Sequence, residues 1–267
     1  MKLSIALVQL NVIPNDPPAN LANMAEFVAK AAKAGAQLVV FPEDAVTGPL
    51  EGQTLYVQHA PEYLAYFQAL AVKHQIDIVP GSWSVTEAGA VGPVLCNAAH
   101  YINADGSVAG VYRKVNLWET EKATLAPGLA VSVFPTAHGM VGLTICWDIA
   151  FPEMFTEMSR LGAELVVSPT YWSLSRRAEQ SRGVAKDEIE LIDSLCVARS
   201  FENDIVFAYC NAAGLVGDEK ADGVLSGRSQ VTHPHEKVLC KAKGNTEEML
   251  TASFTHTRAT AAMPQGG

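Results

Sequence analysis

The chain has 267 residues, a formal net charge of −9 and 49% hydrophobic residues. This length permits one or two domains, and the acidic balance argues against a nucleic-acid-binding surface. The chain has no run of about 18 apolar residues that would predict a membrane helix. We therefore expect no membrane partner and, from the charge balance, no nucleic-acid partner.

Strand-like and helical patterns alternate along the chain. Apolar residues at helical spacing indicate the helices, and short apolar runs bounded by glycine, proline or acidic residues indicate the strands. In chain order, the predicted elements are a strand at residues 3–10, a helix at 21–34, a strand at 38–41, a helix at 61–74, strands at 76–79, 96–102, 108–112, 131–134 and 140–145, a helix at 151–161, a strand at 165–167, a helix at 186–201, and strands at 205–211, 227–232, 237–240 and 250–254. This alternation predicts an α/β architecture in which helices cover the faces of sheets.

One internal similarity bears on domain organisation. Residues 35–42 (GAQLVVFP) match residues 162–169 (GAELVVSP), and both segments follow a predicted helix and end a strand at proline. The match is either common punctuation of α/β chains or a sign of two related halves. No proline-, glycine- or serine-rich linker divides the chain. We therefore predict a single domain over residues 1–257, with a loosely held tail at residues 258–267.

The first candidate site residue is Glu43, which follows the apolar strand predicted at residues 38–41 and a proline. A carboxylate at that position would be partly removed from water, which raises its pKa and suits a general base. Taken alone, an acid in a turn is more often a solvated surface group.

The second candidate is Lys114, which follows the strand predicted at residues 108–112. A lysine fixed at a strand end can stabilise a developing oxyanion by its charge and by hydrogen bonding. Taken alone, a lysine next to an arginine at a strand end is more often an exposed pair.

The third candidate is Cys146, at the end of the strand predicted at residues 140–145 and just before a predicted helix. Backbone N–H groups at such an elbow lower the pKa of a thiol and can hold an oxyanion. The other cysteines lie in apolar strand or helix contexts and are interpreted as structural.

No Cys-x-x-Cys pair is present, which argues against a zinc ribbon or a redox dithiol. We expect reduced thiols and a cytoplasmic location, because the first residues also lack the pattern of a secretion signal.

Together and in this order, the three positions resemble the Glu–Lys–Cys pattern of the nitrilase (carbon–nitrogen hydrolase) superfamily. Glu43 stands in Phe-Pro-Glu, Lys114 in Tyr-Arg-Lys-x-x-Leu, and Cys146 in Cys-Trp-Asp-x-x-Phe-Pro-Glu. The resemblance extends over nearly the whole chain, including residues 6–9 in the first strand and residues 198–203 before the strand at 205–211.

The resemblance implies an α-β-β-α four-layer sandwich that assembles as a homodimer or a higher homo-oligomer and needs no cofactor or metal. It also implies that Cys146 attacks the substrate carbon and that Glu43 handles its proton. Lys114 and the backbone N–H of Trp147 would bind the oxyanion, and Glu121 would orient Lys114 or substrate. Glu119, two residues away, is the alternative to Glu121.

Two departures from the family pattern narrow the substrate. Ala150 and Asn116 stand where many amidase-type members have Arg and His, so an anionic substrate that relies on that Arg is disfavoured. The aspartate at position 148, after Cys146-Trp147, resembles the pattern of the amidase and carbamoylase branches. We therefore expect hydrolysis of a small amide or N-carbamoyl compound. Alternatives are nitrile hydrolysis, transfer of the Cys146-bound acyl group to an amine, and a non-catalytic binding protein on the same fold.

Aromatic residues that follow strand ends are candidates for the wall of the pocket. These are Trp118, Tyr171 and Trp172. Packing in the core or in a dimer interface is the alternative role, because aromatic residues dominate both. The histidines show no metal-ligand spacing, so the sequence predicts a metal-free site.

Overall fold

The computed structural model describes residues 1–49, 51–174, 182–216 and 223–258. The predicted tail lies outside the described residues apart from Arg258. The helices of the described part are Pro17–Lys33 (α1), Glu51–Tyr56 (α2), Ala60–His74 (α3), Pro152–Arg160 (α4) and Arg182–Asn203 (α5). The strands are Lys2–Gln9 (β1), Leu38–Val40 (β2), Asp77–Val79 (β3), Ser82–Ala88 (β4), Pro93–Ile102 (β5), Val108–Arg113 (β6), Ser132–Thr136 (β7), Gly139–Leu143 (β8), Leu165–Thr170 (β9), Val206–Asn211 (β10), Gln230–His233 (β11), Lys237–Lys241 (β12) and Glu248–Thr255 (β13).

The strands form two sheets. The first has the order β13-β1-β2-β3-β5-β4, with β6 pairing with β5, and the second has the order β12-β11-β10-β9-β8-β7. At the centre of each sheet three strands run parallel, namely β1, β2 and β3 in the first and β8, β9 and β10 in the second. Loops that follow the carboxyl ends of parallel strands gather at one edge of a sheet, and Glu43 and Cys146 follow the parallel strands β2 and β8.

The two sheets pack face to face, and helices cover their outer faces. Alternate residues of β1 show the layering, because Ile5 lies in the core between the sheets whereas Ala6 packs among α1 and α3. Across the sheets, the Cys210 thiol donates to the Val8 carbonyl at 3.3 Å. On the far side, Phe155 of α4 packs edge-on against a phenylalanine of β10, with ring centroids 5.3 Å apart. This arrangement confirms the predicted α-β-β-α four-layer sandwich.

The element boundaries differ from prediction where polar residues or prolines obscure the pattern. Helix α1 begins four residues early, at Pro17, because the Asp16 side chain caps it by accepting a hydrogen bond from the Ala19 N–H at 3.1 Å. The edge strand β4 was not predicted, because its outer half is polar and exposed. Among the described helices, none combines the length and the apolar character that crossing a bilayer requires.

Candidate active site

Glu43 lies directly beyond β2, where the backbone passes very close to the loop after β3. A Cβ atom built on Gly81 would lie 1.9 Å from the Pro42 carbonyl oxygen, and Gly81 also has φ +87°. Only glycine fits this contact. The close approach lets Glu43 pair as a β-bridge with Ser82, which extends the sheet by one residue and fixes the direction of the Glu43 side chain.

The Glu43 carboxylate is buried and fully engaged by donors from both sheets. Its Oε1 accepts hydrogen bonds from Asn97 Nδ2 at 2.9 Å and from Lys114 Nζ at 2.8 Å. Its Oε2 accepts one from the Tyr171 N–H at 3.0 Å, just beyond β9. Burial raises the pKa of Glu43, and the Glu121 carboxylate adds to that rise, whereas Lys114 opposes it.

Lys114 follows β6 and is 2% exposed. Its backbone N–H donates to the Asn97 carbonyl at 2.9 Å, and its Nζ lies 2.8 Å from Glu43 Oε1 and 2.8 Å from Glu121 Oε1. Burial by itself would lower the pKa of Lys114. The negative charges of Glu43 and Glu121, joined by that of Cys146 when its thiol ionises, outweigh burial and raise this pKa well above its ordinary range, so the ammonium form persists.

Glu121 is held by backbone as well as by the lysine. It opens the short 3₁₀ turn Glu121–Ala123, and its Oε2 accepts a hydrogen bond from the Trp118 N–H at 2.6 Å. The alternative candidate, Glu119, is exposed and does not line the cavity described below. The structure therefore brings Glu121, and not Glu119, to Lys114.

Cys146 begins a 3₁₀ turn, Cys146–Ala150, that joins the loop after β8 to α4. Its φ of +48° lies in the left-handed region, which non-glycine residues seldom occupy and which is common at strained functional turns. The side chain is nearly buried. Trp147 follows in the first turn, where N–H groups have no partner within the helix and can therefore meet a ligand.

The turn at Cys146 is anchored by a buried carboxylate, Asp148. Its Oδ2 accepts hydrogen bonds from the Ile145 N–H at 2.9 Å and from the Tyr112 hydroxyl at 2.7 Å. Its Oδ1 accepts two from Asn116, backbone and side chain, each at 3.0 Å. The segment that carries Lys114 and the turn that carries Cys146 are thus held by one side chain.

The Cys146 thiol is in its neutral form at rest. The expectation that the turn lowers the pKa of this thiol is wrong: burial raises its pKa well above the ordinary value, and the Glu43 carboxylate adds to that rise, whereas Lys114 opposes it. The thiol and the Glu43 carboxylate interact directly. A buried thiol becomes a nucleophile only if a base beside it accepts its proton, and Glu43 has the position and the raised pKa for that transfer.

These residues open into one cavity of about 320 Å³. It is lined by Glu43, Asp44, Pro49, Lys114, Trp118, Thr120, Glu121, Cys146, Trp147, Tyr171, Trp172, Ser173, Glu188 and Val216. The three aromatic residues predicted for the wall are among them. Trp147 contacts Trp118 and Trp172, with ring centroids 4.5 and 5.4 Å away, so three indoles form one continuous wall.

Several residues that shape the site were not predicted. Asn97 is a polar residue in an apolar strand, a signal that could have indicated its bond to Glu43. Asn211 ends β10 and accepts a hydrogen bond from the Trp172 N–H at 2.8 Å, so it fixes the cavity wall. Asp148 lies within the quoted Cys146 motif but had no role assigned. Glu188, in the middle of α5, gave no local signal.

Within the described residues, no group of three or more His, Cys, Asp or Glu side chains is suited to hold a metal ion. The expectation of a metal-free and cofactor-free site remains a prediction. The groups that the structure does bring together, namely a thiol, a carboxylate and a lysine, are sufficient for acyl transfer.

A thiol buried beside a carboxylate and a lysine is an arrangement suited to hydrolysis through a covalent intermediate on the cysteine. The chain belongs to the carbon–nitrogen hydrolase family, whose model matches residues 4–262. It is therefore an enzyme that hydrolyses carbon–nitrogen bonds other than peptide bonds, as the sequence predicted.

Relatives and solved structures agree with this assignment. The chain is 30% identical to the probable nitrilase C965.09 of Schizosaccharomyces pombe, over 90% of this chain and 84% of that protein. It is 31% identical to the omega-amidase NIT2 of Mus musculus, over 93% and 87%. The NitN amidase from Nesterenkonia sp. AN1 superposes with a TM-score of 0.79 at 26% identity, over 95% and 93%. In a variant of that amidase, acrylamide has added to the active-site cysteine.

Proposed function

We propose that the protein is an amidohydrolase that cleaves the carbon–nitrogen bond of a small amide or N-carbamoyl compound through an acyl-enzyme on Cys146. The observation that carries this proposal is the position of Lys114 Nζ, 2.8 Å from both Glu43 and Glu121 in the cavity that holds Cys146. Relatives named amidase and omega-amidase support an amide over a nitrile.

In the first step, Glu43 accepts the proton of the Cys146 thiol, and the sulfur attacks the substrate carbonyl carbon. A carbon–sulfur bond forms, and the carbonyl oxygen takes up the negative charge. Lys114 Nζ, which is buried, and the Trp147 N–H stabilise that oxyanion.

In the second step, the tetrahedral intermediate collapses and the carbon–nitrogen bond breaks. The leaving nitrogen takes the proton from Glu43 and departs as ammonia or an amine. Water then attacks the thioester, with Glu43 accepting a proton from it, and the acid leaves while Cys146 regains its proton. In both steps Glu121 keeps Lys114 charged and in place.

The test is ammonia release from a panel of small amides, ω-amides of dicarboxylic acids, N-carbamoyl compounds and nitriles. We expect release from amides or N-carbamoyl compounds, and its loss in Cys146→Ala. Cys240→Ala is the matched control, because Cys240 lies in β12 and does not line the cavity. Release that survives Cys146→Ala would overturn the mechanism. Product analysis with an added amine distinguishes hydrolysis from acyl transfer.

We also propose that residues 1–257 form a single domain and that the chain pairs as a homodimer in the cytoplasm. Phe201 is 71% exposed at the end of α5, and Val197, one turn earlier, is 37% exposed. Two exposed apolar residues on one helix face support pairing there. The expected result is a dimer by light scattering that becomes a monomer in Phe201→Glu. All five cysteines are free, which fits a reducing compartment.

A further inference from the structure

The peptide bond between Thr170 and Tyr171, at the end of β9, directs one polar group to each side of the strand. The Thr170 carbonyl accepts a hydrogen bond from the Ala212 N–H at 3.3 Å, so it faces the β10 side. In a trans peptide the carbonyl and the N–H point in opposite directions. The Tyr171 N–H therefore faces the other side of β9, where β8 pairs with it.

Strand β8 ends too early to use this donor. Its last residue, Leu143, pairs with Val167, whereas β9 runs on to Thr170. Beyond β8 the chain turns aside and enters the turn that begins at Cys146. The Tyr171 N–H is therefore left facing the active site, where it donates to Glu43 Oε2 at 3.0 Å.

The Cys146 sulfur is a second acceptor for the same N–H. Burial raises the pKa of the Cys146 thiol, and the Tyr171 N–H is one of the groups that oppose this rise, because it favours the thiolate. The thiol also interacts directly with the Glu43 carboxylate. One backbone donor thus serves both groups between which the proposed proton transfer takes place.

The proton transfer moves negative charge from one acceptor to the other. Before it, the charge is on Glu43, whose Oε1 also accepts from Lys114 and Asn97. After it, the S–H bond has broken, an O–H bond has formed on Glu43, and the sulfur carries the charge. A donor fixed by the backbone serves both states without reorganisation. Since Glu43 has two other donors, the N–H contributes more to the thiolate than to the carboxylate.

We propose that the Tyr171 N–H is a further catalytic group, a donor that passes from Glu43 to the Cys146 sulfur as the thiol gives up its proton. It acts before the substrate carbonyl is attacked, so its role differs from that of the oxyanion donors, Lys114 and the Trp147 N–H. Its role in turnover rests on the proposed function, but its effect on the thiol is measurable without a substrate.

The first test replaces the Tyr171 N–H by an ester oxygen, with the α-hydroxy analogue of tyrosine, so that the side chain is retained. Methyl methanethiosulfonate, a small neutral reagent, reacts with the thiolate to give a mixed disulfide and methanesulfinate. Its rate at Cys146 is read by peptide mass. We expect this rate and the kcat for an amide to fall on the order of tenfold, with KM unchanged, because a hydrogen bond to a charged sulfur is lost.

The matched control is the same ester substitution at Ala212. An ester at Tyr171 also weakens the Thr170 carbonyl as an acceptor, and the ester at Ala212 removes the N–H that donates to that carbonyl. We expect a similar loss of free energy of unfolding in urea, but labelling of Cys146 at the wild-type rate. Equal slowing in the two variants overturns the proposal, and so does wild-type labelling in the Tyr171 ester.

The second test leaves the backbone intact and so does not depend on the folding of an ester variant. Selenocysteine takes the place of Cys146, and its selenol ionises at lower pH than a thiol. NMR detects a hydrogen bond to the selenolate as a scalar coupling between selenium and the amide proton. Labelling of threonine carbonyl carbon and tyrosine nitrogen selects this proton, because Thr170-Tyr171 is the one Thr-Tyr pair in the sequence. A selenolate without this coupling overturns the proposal.

The proposed donor and the proposed activity fail in different ways. Slower labelling in the Tyr171 ester, without ammonia release from any amide by the wild type, supports the donor and removes the proposed activity. Ammonia release by the wild type, with unchanged labelling in the Tyr171 ester, overturns the donor and leaves the proposed hydrolase.

Discussion

The hydroxyl of Tyr112 donates a hydrogen bond of 2.7 Å to the buried carboxylate of Asp148. Tyr112 lies in β6, two residues before Lys114, and Asp148 lies two residues after Cys146. This single bond joins the strand that positions the lysine to the turn that positions the thiol. It crosses from the first sheet to the loop region of the second.

Tyr112→Phe should lower kcat by more than its loss of stability alone would explain. The substitution removes one donor to Asp148 and the acceptor of the Val115 N–H, which costs about 1–3 kcal/mol of the free energy of unfolding. It should also reduce kcat about tenfold, because small displacements of reacting groups are costly. Ammonia release and urea unfolding measure the two effects.

Tyr101→Phe is the matched control for that substitution. Tyr101 lies on β5 in the same sheet and donates to a buried aspartate, Asp77, at 2.6 Å, at the end of the sheet away from the cavity. The Tyr101→Phe variant should lose about as much free energy of unfolding as Tyr112→Phe and keep the kcat of the wild type. Equal activity losses in the two variants would show that Tyr112 acts through general stability alone.

Glu121→Gln should shift the alkaline limb of the pH–activity profile to lower pH. Glu121 is one of the charges that raise the pKa of Lys114, so its neutralisation lowers that pKa and the ammonium is lost earlier as pH rises. We expect kcat to fall about a hundredfold, since Lys114 is the proposed oxyanion donor. Glu119→Gln, which changes the exposed neighbouring glutamate, should leave the profile unchanged; a shift of the same size there would contradict the assignment.

Gly81→Ala should disable the site by displacing Glu43. The new Cβ would lie 1.9 Å from the Pro42 carbonyl oxygen, so the backbone before Glu43 must move. Gly35→Ala is the matched control, because Gly35 also has positive φ, +81°, but no atom lies within 4 Å of its added Cβ. Both variants should lose about 1 kcal/mol or more of stability from the strained backbone, but only Gly81→Ala should lose activity. Full activity in Gly81→Ala would show that the close approach of Gly81 to Pro42 does not position Glu43.

His100 should make the protein less stable in mild acid. It stacks on Trp83 at 5.0 Å between ring centroids, and burial lowers its pKa from the ordinary 6.5 to about 4. The unfolded chain therefore binds a proton below pH 6.5 that the folded protein refuses until about pH 4. Stability falls through that interval, by about 3 kcal/mol in total from this group.

The measurement is the free energy of unfolding at several pH values for the wild type and for His100→Phe. The substitution keeps an aromatic ring on Trp83 and removes the titrating group. We expect a shallower loss of stability between pH 6.5 and 4 in the variant. If the free energy of unfolding falls equally steeply with pH in both proteins, other groups cause the acid sensitivity.

The sequence predicted the three groups proposed to react through their combined order and the family resemblance, because the local signals of Glu43 and Lys114 taken alone favour exposed groups. Glu43, Lys114 and Cys146 each follow an apolar strand directly, and loops after such strands meet at one edge of an α/β structure. The fold class followed from the same alternation and from the family resemblance. Glu121 was reached through the resemblance, and the structure shows the contact that distinguishes it from Glu119.

What remained unpredicted depends on contacts between distant parts of the chain. Asn97 meets Glu43 across 54 residues, and nothing around Asn97 indicates that partner. Glu188 has no signal at all, because an acid in the middle of a helix is usually solvated. The same limit applies to strand order, since the pairing of β13 with β1 has no local signature.

That pairing has a consequence for how the protein is made. Synthesis delivers β1 long before β13, yet the two are neighbours in one sheet through eight residue pairs from Lys2 with Thr255 to Gln9 with Glu248. Until residues 248–255 leave the ribosome, β1 has a bare edge that can recruit another chain. The nascent protein therefore has a long interval of exposure to aggregation, during which a chaperone should be of most use.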